Sequence, residues 1–174
     1  YFEGCSMGGR EAMMVTQRLP DQFDGVVVGD PAFKLTAMST HEVYNAQQLA
    51  ALAQSMGLVS ANGVPLISNT YTDNDVQLVS KAVLDACDSL DGLADGMVNM
   101  PLKCTTSVVR PSLDALKCSA GKTAACLTAD QIGTLVKIYE GPVTPTGLKP
   151  YFPWMWDAGI AGCTSAADCN TGTA

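Results

Sequence analysis

The sequence predicts an α/β fold at its beginning and a helical, loop-rich region after it. Residues 1–3 resemble the end of a strand, and residues 11–19 carry helix formers that Pro20 brings to an end. The run GVVVG at residues 25–29 is β-branched and bounded by glycines, which is typical of a buried parallel strand. Strand, turn, helix and strand in this order form an α/β unit. Beyond residue 33, no segment alternates as a half-buried strand would.

Helical periodicity dominates the second region. Apolar residues recur at helical spacing in three segments, namely residues 42–56, residues 75–86 and residues 128–141. The last segment opens with the capping pattern TADQ. The sequence therefore predicts two parts, which are an α/β part at residues 1–32 and a helical insertion at residues 33–174.

Composition restricts the classes of protein that fit. A chain of 174 residues with 47% hydrophobic residues can bury one ordinary core. Its formal net charge of -7 argues against nucleic acids and anionic membranes as partners, because both require a basic surface. No apolar run approaches the roughly 20 residues that a membrane-spanning helix needs. We therefore expect neither a nucleic-acid partner nor a membrane partner.

The turn at residues 4–10, GCSMGGR, contains the motif G-x-S-x-G and gives the first chemical signal. Where a strand turns sharply into a helix, small residues are needed two positions on either side of the serine, and Gly4 and Gly8 meet that need. Such a turn exposes the hydroxyl group, so Ser6 is the predicted nucleophile. The helix that follows directs N–H groups at developing negative charge, which makes the Met7 N–H the predicted oxyanion donor.

Seven cysteines indicate an oxidising compartment, with metal binding as the alternative. No C-x-x-C pair is present and the chain has one histidine, so a zinc site is not expected. Proximity along the chain favours three disulfides, which join Cys87 to Cys104, Cys118 to Cys126 and Cys163 to Cys169. This pairing leaves Cys5 beside the predicted nucleophile without a partner in the chain.

An acidic loop after Cys87 gives the second chemical signal. Asp88, Asp91 and Asp95 lie so close in sequence that their charges repel unless a cation neutralises them. Calcium accepts about six to eight oxygens, main-chain carbonyls among them, so Leu93 and Met97 are candidates for the remaining ligands. The spacing is not that of an EF-hand. A solvated acidic turn is the alternative to a calcium site.

Together these segments resemble the tannase and feruloyl esterase family. The matching segments follow in order at residues 4–10, 23–25, 29–32, 87–96, 126–131 and 138–141. The resemblance implies a secreted serine esterase with an α/β-hydrolase fold, of which this chain is an internal fragment. Residues 1–32 would then belong to the catalytic core and residues 33–174 to a lid. The implied substrates are small esters of aromatic acids, such as gallate or ferulate esters or mono(2-hydroxyethyl) terephthalate.

The resemblance also assigns individual residues. It implies a structural calcium site formed by Asp88, Asp91, Leu93, Asp95 and Met97. It supports the pairs Cys87 with Cys104 and Cys118 with Cys126, whereas the third pair rests on proximity. It further implies that Cys5 bonds to a cysteine beside the catalytic histidine, in the remainder of the parent polypeptide.

The catalytic triad is not complete in this sequence. His41 begins a predicted helix and is expected to be a capping or surface residue instead of the base. Asp30 and Asp157 are unsupported as the acid. We therefore expect the histidine and the acid outside this chain, and we expect the chain alone to be inactive.

Two alternatives stay open. The aromatic residues Tyr151, Phe152, Trp154 and Trp156 either contact an aromatic acyl group or pack in the core of the lid. A different class of protein is a calcium-stabilised structural or binding module, in which the serine motif is vestigial. An acid and a paired histidine and cysteine in the parent polypeptide would exclude that class.

Overall fold

The computed structural model describes residues 1–162. It divides the chain into two compact units, of which the first covers Tyr1–Glu42 and the second begins at Val43. The division falls within a long helix, whereas the sequence places the end of the first part in the loop before that helix.

The first unit contains two parallel strands connected by a helix. The strand β1 (Phe2–Cys5) leads into the helix α1 (Met7–Arg18), and the chain returns as the strand β2 (Val26–Gly29). The register aligns the first residue of β1 with the first of β2 and the last with the last. Because parallel strands need a crossover connection, α1 supplies it and packs on both strands. The predicted α/β unit is therefore present, and its helix begins directly after Ser6.

The helices of the second unit follow a long helix, α2 (Leu35–Ser55), that begins in the first. They are α3 (Asp73–Cys87), α4 (Thr106–Ala115) and α5 (Ala129–Glu140). Three short 3-10 turns cover Ile67–Asn69, Asp88–Asp91 and Ala158–Ala161. Up to residue 162, strand-like pairing in this unit is limited to two isolated bridges, in agreement with the predicted helical character.

The helix α4 was not predicted, because Pro111 lies inside it. Proline lacks the N–H that continues a helix, so its presence in a segment argues against one. The apolar face of α4 outweighs this cost, since Val109 and Leu113 are fully buried in the core. Tertiary packing thus decides the conformation of this segment.

Two capping boxes fix the starts of α3 and α5. The Thr72 side chain accepts a hydrogen bond from the Asp75 N–H, and the Asp75 carboxylate accepts one from the Thr72 N–H. Thr128 and Gln131 form the same reciprocal pair at the start of α5, so the predicted cap is confirmed. The capping box of α3 has aspartate at the position where glutamate or glutamine is usual, so the sequence pattern did not indicate it.

The core of the second unit lies where α3, α4 and α5 pack. Its largest buried side chain is Trp156, which is 1% exposed. The ring of Trp156 stacks on Tyr139 with centroids 3.6 Å apart, and its Nε1 donates to Thr106 Oγ1 at 3.0 Å. Burial raises the pKa of Tyr139 to about 12, with a smaller contribution from the charge of Asp157, so the phenol stays neutral.

A buried carboxylate joins three segments of this unit. Asp75 is 1% exposed, and Lys122 Nζ donates to its Oδ1 at 2.5 Å. Gln131 Nε2 donates to the other oxygen at 3.2 Å, and Lys122 Nζ also donates to the carbonyl of Cys126 at 2.7 Å. Burial by itself raises the pKa of Asp75, but hydrogen bonds from Lys122 and Thr72 and the charge of Lys122 hold it below its ordinary value. The charge is therefore retained inside the protein.

Candidate active site

Ser6 occupies the turn between β1 and α1 in a strained conformation. Its φ of 56° and ψ of -117° lie in a region that residues other than glycine rarely adopt. The Ser6 N–H donates to the Gly29 carbonyl at 3.1 Å, and the Ser6 carbonyl accepts from Arg10 at 3.1 Å and from Ala32 at 3.2 Å. Hydrogen bonds to β2, to the loop after it and to α1 thus fix the main chain of Ser6, while its side chain is exposed.

The glycines around Ser6 differ in how much space they have. A Cβ at Gly4 would lie 2.1 Å from the carbonyl oxygen of Gly8, and a Cβ at Gly9 would lie 2.3 Å from that of Gly29. A Cβ at Gly8 would meet nothing within 4 Å. The expectation that Gly8 must be small is therefore corrected, because a side chain at this position would point into open space. The close approaches are at Gly4 and at the buried Gly9, and the motif did not single out Gly9.

Met7 is the first residue of α1, and its side chain is 43% exposed. The N–H groups of a first helical turn have no acceptor inside the helix, and the helix dipole makes this end positive. The exposed Ser6 hydroxyl consequently lies at a helix N-terminus. A hydroxyl group in that position can act as a nucleophile while the helix end stabilises negative charge.

The single histidine and the two candidate acids lie in three different segments. Of these, Asp30 lies beside the turn of Ser6, between Gly29 and Ala32, whose main-chain groups bond to Ser6. His41 lies within α2 and is 1% exposed, so the expectation of a capping or surface histidine is wrong. The local sequence does not reveal this burial. Asp157 accepts from the Gly159 N–H at 2.7 Å and caps a 3-10 turn in the second unit. Asp30 follows β2 with a φ of 36°.

The disulfides of the described residues join Cys87 to Cys104 and Cys118 to Cys126, with Cα atoms 5.5 and 5.0 Å apart. These are two of the pairs that the sequence favours. Within residues 1–162, Cys5 is the free cysteine, and it is exposed beside Ser6. The proposed pair of Cys163 with Cys169 lies outside the described residues.

The acidic loop is closed by the Cys87–Cys104 disulfide and organised by its own carboxylates. These accept main-chain hydrogen bonds: Asp88 Oδ1 from Asp95 (3.1 Å) and Gly96 (3.0 Å), Asp91 Oδ1 from Leu93 (2.9 Å), and Asp95 Oδ1 from Met97 (3.2 Å). The Leu93 N–H, followed by the Asn99 side chain, holds the pKa of Asp91 below its ordinary value. The loop therefore favours the ionised form of Asp91 and holds three carboxylates in a short segment.

The chemistry of this donor set suits calcium, which prefers carboxylate and carbonyl oxygens. The arrangement of the side chains is a different matter. In the part of the chain that the structure describes, no three histidine, cysteine or acidic side chains converge as a metal cluster. The carboxylates are instead turned towards the N–H groups of the loop.

The aromatic cluster near the end of the described chain divides into two parts. Trp156 belongs to the core, as its burial and its stacking on Tyr139 show. Phe152 is 69% exposed and lies edge-on to Tyr151, with ring centroids 6.0 Å apart. Core packing therefore accounts for Trp156 and not for Phe152.

The helices of residues 1–162 include none that is both long and apolar enough to cross a membrane. A strained serine between a parallel strand and a helix is typical of α/β enzymes that hydrolyse esters. The chain belongs to the family described as tannase and feruloyl esterase, which it matches over residues 1–172.

Individual relatives agree with this membership. The chain is 42% identical over 168 residues to a mono(2-hydroxyethyl) terephthalate hydrolase of Piscinibacter sakaiensis, covering 93% of this chain and 27% of that protein. It is 34% identical over 142 residues to a probable feruloyl esterase B-1 of Aspergillus flavus. This match covers 80% of this chain and 23% of that protein. The crystal structure of feruloyl esterase B from Aspergillus oryzae superposes on this chain with a TM-score of 0.63 at 29% identity. The superposition covers 86% of this chain and 27% of that chain. The chain thus spans about a quarter of the length of these relatives.

Proposed function

We propose that the protein carrying this chain is a serine carboxylic ester hydrolase that acts on esters of aromatic acids. The observation that carries the proposal is the exposed, strained Ser6 at the N-terminus of α1. Membership of the family supports ester hydrolysis, and the names of the relatives support aromatic acids. In this proposal, residues 1–32 belong to the catalytic core with its nucleophile elbow, and residues 33–174 belong to the lid.

The proposed mechanism follows from the position of the serine. The Ser6 oxygen attacks the ester carbonyl, and a histidine in the remainder of the polypeptide accepts the hydroxyl proton. The Met7 N–H donates to the oxyanion. The histidine then protonates the departing alcohol, and water releases the acid from Ser6. An acid outside this chain would orient the histidine, and a disulfide from Cys5 would hold the nucleophile near it.

We further propose that the acidic loop holds a structural calcium ion. Asp88, Asp91 and Asp95 would supply carboxylate oxygens, and Leu93 and Met97 would supply main-chain oxygens. When bound, the ion would neutralise the repulsion among the carboxylates. The oxygen-rich donor set supports this site. To bind the ion, the carboxylates must rotate away from the main-chain N–H groups whose hydrogen bonds they accept in this structure. Secretion is proposed from the two disulfides, because such bonds persist in oxidising compartments.

Melting of the full-length polypeptide tests the calcium site. Removing calcium with a chelator should lower the Tm, and an Asp91→Asn variant should lose most of that response. Asp21→Asn, which changes an exposed carboxylate in the first unit, should respond like the unaltered protein. A Tm that the chelator leaves unchanged would exclude the ion.

Hydrolysis assays on the full-length polypeptide test the enzyme. A panel of a gallate ester, a ferulate ester and mono(2-hydroxyethyl) terephthalate distinguishes the substrate classes. The 42% identity to the terephthalate monoester hydrolase makes the last of these the second candidate. Ser6→Ala should reduce turnover to about a thousandth or less without changing the Tm. If the unaltered polypeptide hydrolyses none of the three and its remainder holds neither an acid nor a paired histidine and cysteine, a calcium-stabilised structural or binding module replaces the enzyme.

A further inference from the structure

The second unit contains a cavity of about 260 Å³. It is bordered by the segment before α4, by the end of α5 and by the extended chain that leads to Trp156. The lining residues that matter here are Leu102, Thr106, Glu140, Phe152, Trp154 and Met155.

The walls of the cavity are apolar, and several of them face solvent. Leu102 is 81% exposed, Phe152 69% and Met155 55%. An exposed apolar patch that surrounds a concave site is characteristic of ligand binding. An engineered apolar cavity of about 150 Å³ binds benzene, so the present volume suffices for one substituted aromatic ring. Size and lining together indicate a small aromatic molecule.

The floor of the cavity is rigid. Trp156 lines it and is fixed by its stacking on Tyr139 and by the hydrogen bond from its Nε1 to Thr106. Trp154 is anchored through its main chain, because its N–H donates to the Tyr139 carbonyl at 2.8 Å. A site whose shape exists before binding loses less conformational entropy when a ligand enters.

The polar groups of the cavity select the charge of the ligand. Glu140 accepts a hydrogen bond from Lys149 Nζ at 2.5 Å, and a second comes from the Thr106 hydroxyl. These two contacts, the Lys149 bond first, hold the pKa of Glu140 below its ordinary value, so the lining presents an ionised carboxylate. Because Lys149 does not line the cavity, a ligand meets the acceptor and not the cation. A hydroxyl donor is attracted there, whereas an anionic ligand has no proton to donate to the carboxylate.

We propose that this cavity binds an uncharged aromatic ring that carries a hydroxyl group. The hydroxyl donates to Glu140, and the ring packs among Phe152, Trp154 and Met155. Aromatic carboxylates bind more weakly, because they have no proton to donate to Glu140 and would place a second negative charge beside it. The inference concerns binding alone and stands whether or not Ser6 hydrolyses an ester.

A matched pair of probes tests this selectivity on the full-length polypeptide. 4-Ethylphenol and 4-ethylbenzoate share a ring and differ in charge and in the donor group. Labelling with 5-fluorotryptophan gives 19F signals for Trp154 and Trp156, which Trp→Phe variants assign. We expect 4-ethylphenol to shift these two signals in a saturable way and 4-ethylbenzoate to bind at least about tenfold more weakly. Absence of a saturable shift, or equal binding of both probes, would overturn the proposal.

Two variants and a control separate the proposed contacts from general effects. Phe152→Ala should weaken the binding of 4-ethylphenol about fivefold, since one aromatic contact is lost. Leu148→Ala, which removes an equally exposed apolar side chain outside the lining, should leave binding unchanged. Glu140→Gln keeps the shape and removes the charge, so the preference for 4-ethylphenol should fall to about threefold or less. A preference that Glu140→Gln leaves intact would contradict the role of the carboxylate.

The hydroxyl-bearing ring has two possible sources, a free phenol or the aromatic part of an ester substrate. Inhibition of ester hydrolysis by 4-ethylphenol distinguishes them. Competitive inhibition that Phe152→Ala relieves points to the substrate itself. Binding that shifts the Trp154 signal without competing points to a separate phenol, and either result supports the site.

Discussion

Trp156 and Tyr139 lie ring on ring, with centroids 3.6 Å apart and planes inclined by 6°. This contact joins the extended segment at 152–157 to the last turn of α5, and the bond from Trp156 to Thr106 extends it to the start of α4. The end of the described chain is therefore fixed to the core of the second unit.

Trp156→Phe should destabilise the protein by about 2 kcal/mol, because the indole loses stacking area and Thr106 loses a buried donor. Trp154→Phe, a change of the same kind at a side chain that is only half-buried, should cost less than about 1 kcal/mol. Chemical unfolding of the full-length polypeptide measures both. Equal losses in the free energy of unfolding would show that the stacking of Trp156 on Tyr139 does not add to stability.

Lys122→Met should destabilise the protein by roughly 3 kcal/mol, since it leaves the Asp75 carboxylate buried without its cation. The matched control is Lys81→Met. Lys81 pairs with Asp85 on the surface, where the side chains are 71% and 55% exposed, so its loss should cost less than about 0.5 kcal/mol. If both variants unfold alike, the buried pair is not the stabilising element.

Acid should destabilise the protein through Asp75. Its pKa in the folded protein is lower than the ordinary value of about 3.9, so its contribution is complete above pH 4 and declines as the pH falls towards the folded pKa. Asp75→Asn should be less stable at neutral pH and should show a shallower loss of stability below pH 4. Parallel pH profiles of Tm for the variant and the unaltered protein would refute this assignment.

Gly4→Ala and Gly9→Ala should each cost more than about 2 kcal/mol, because the added Cβ meets a main-chain oxygen that cannot move freely. Gly8→Ala should instead stabilise α1 by up to about 1 kcal/mol, since alanine favours a helix and the space is open. Thermal unfolding of the three variants ranks them. A Gly8→Ala variant as unstable as the other two would show that the motif, and not the local space, sets the requirement.

Local signals in the sequence were sufficient for much of the fold. Glycine-bounded valines predicted β2, but Val27 and Val28 are exposed in the described residues and not buried as expected. The TADQ pattern predicted the start of α5 at Thr128. Features that depend on packing were not accessible. The α4 helix contains Pro111, and His41 is buried within α2. A pattern shows which residue types are present, but it does not show which atoms approach each other.

The same distinction applies to the candidate site. The motif indicated Ser6, and the strained backbone at that residue agrees with a functional turn. It did not indicate Gly9, whose closeness to Gly29 arises only when the helix packs on β2. The sequence indicated the aromatic residues near Trp154, but not the cavity that Phe152 and Trp154 line, because its other walls come from separated segments.

The two capping boxes touch each other. Gln131 completes the cap of α5 and donates to Asp75, which completes the cap of α3. When one of these helices frays at its start, the other loses a hydrogen bond at its own first turn. The openings of the two helix ends are therefore coupled through this bond, although 56 residues of chain separate the two side chains.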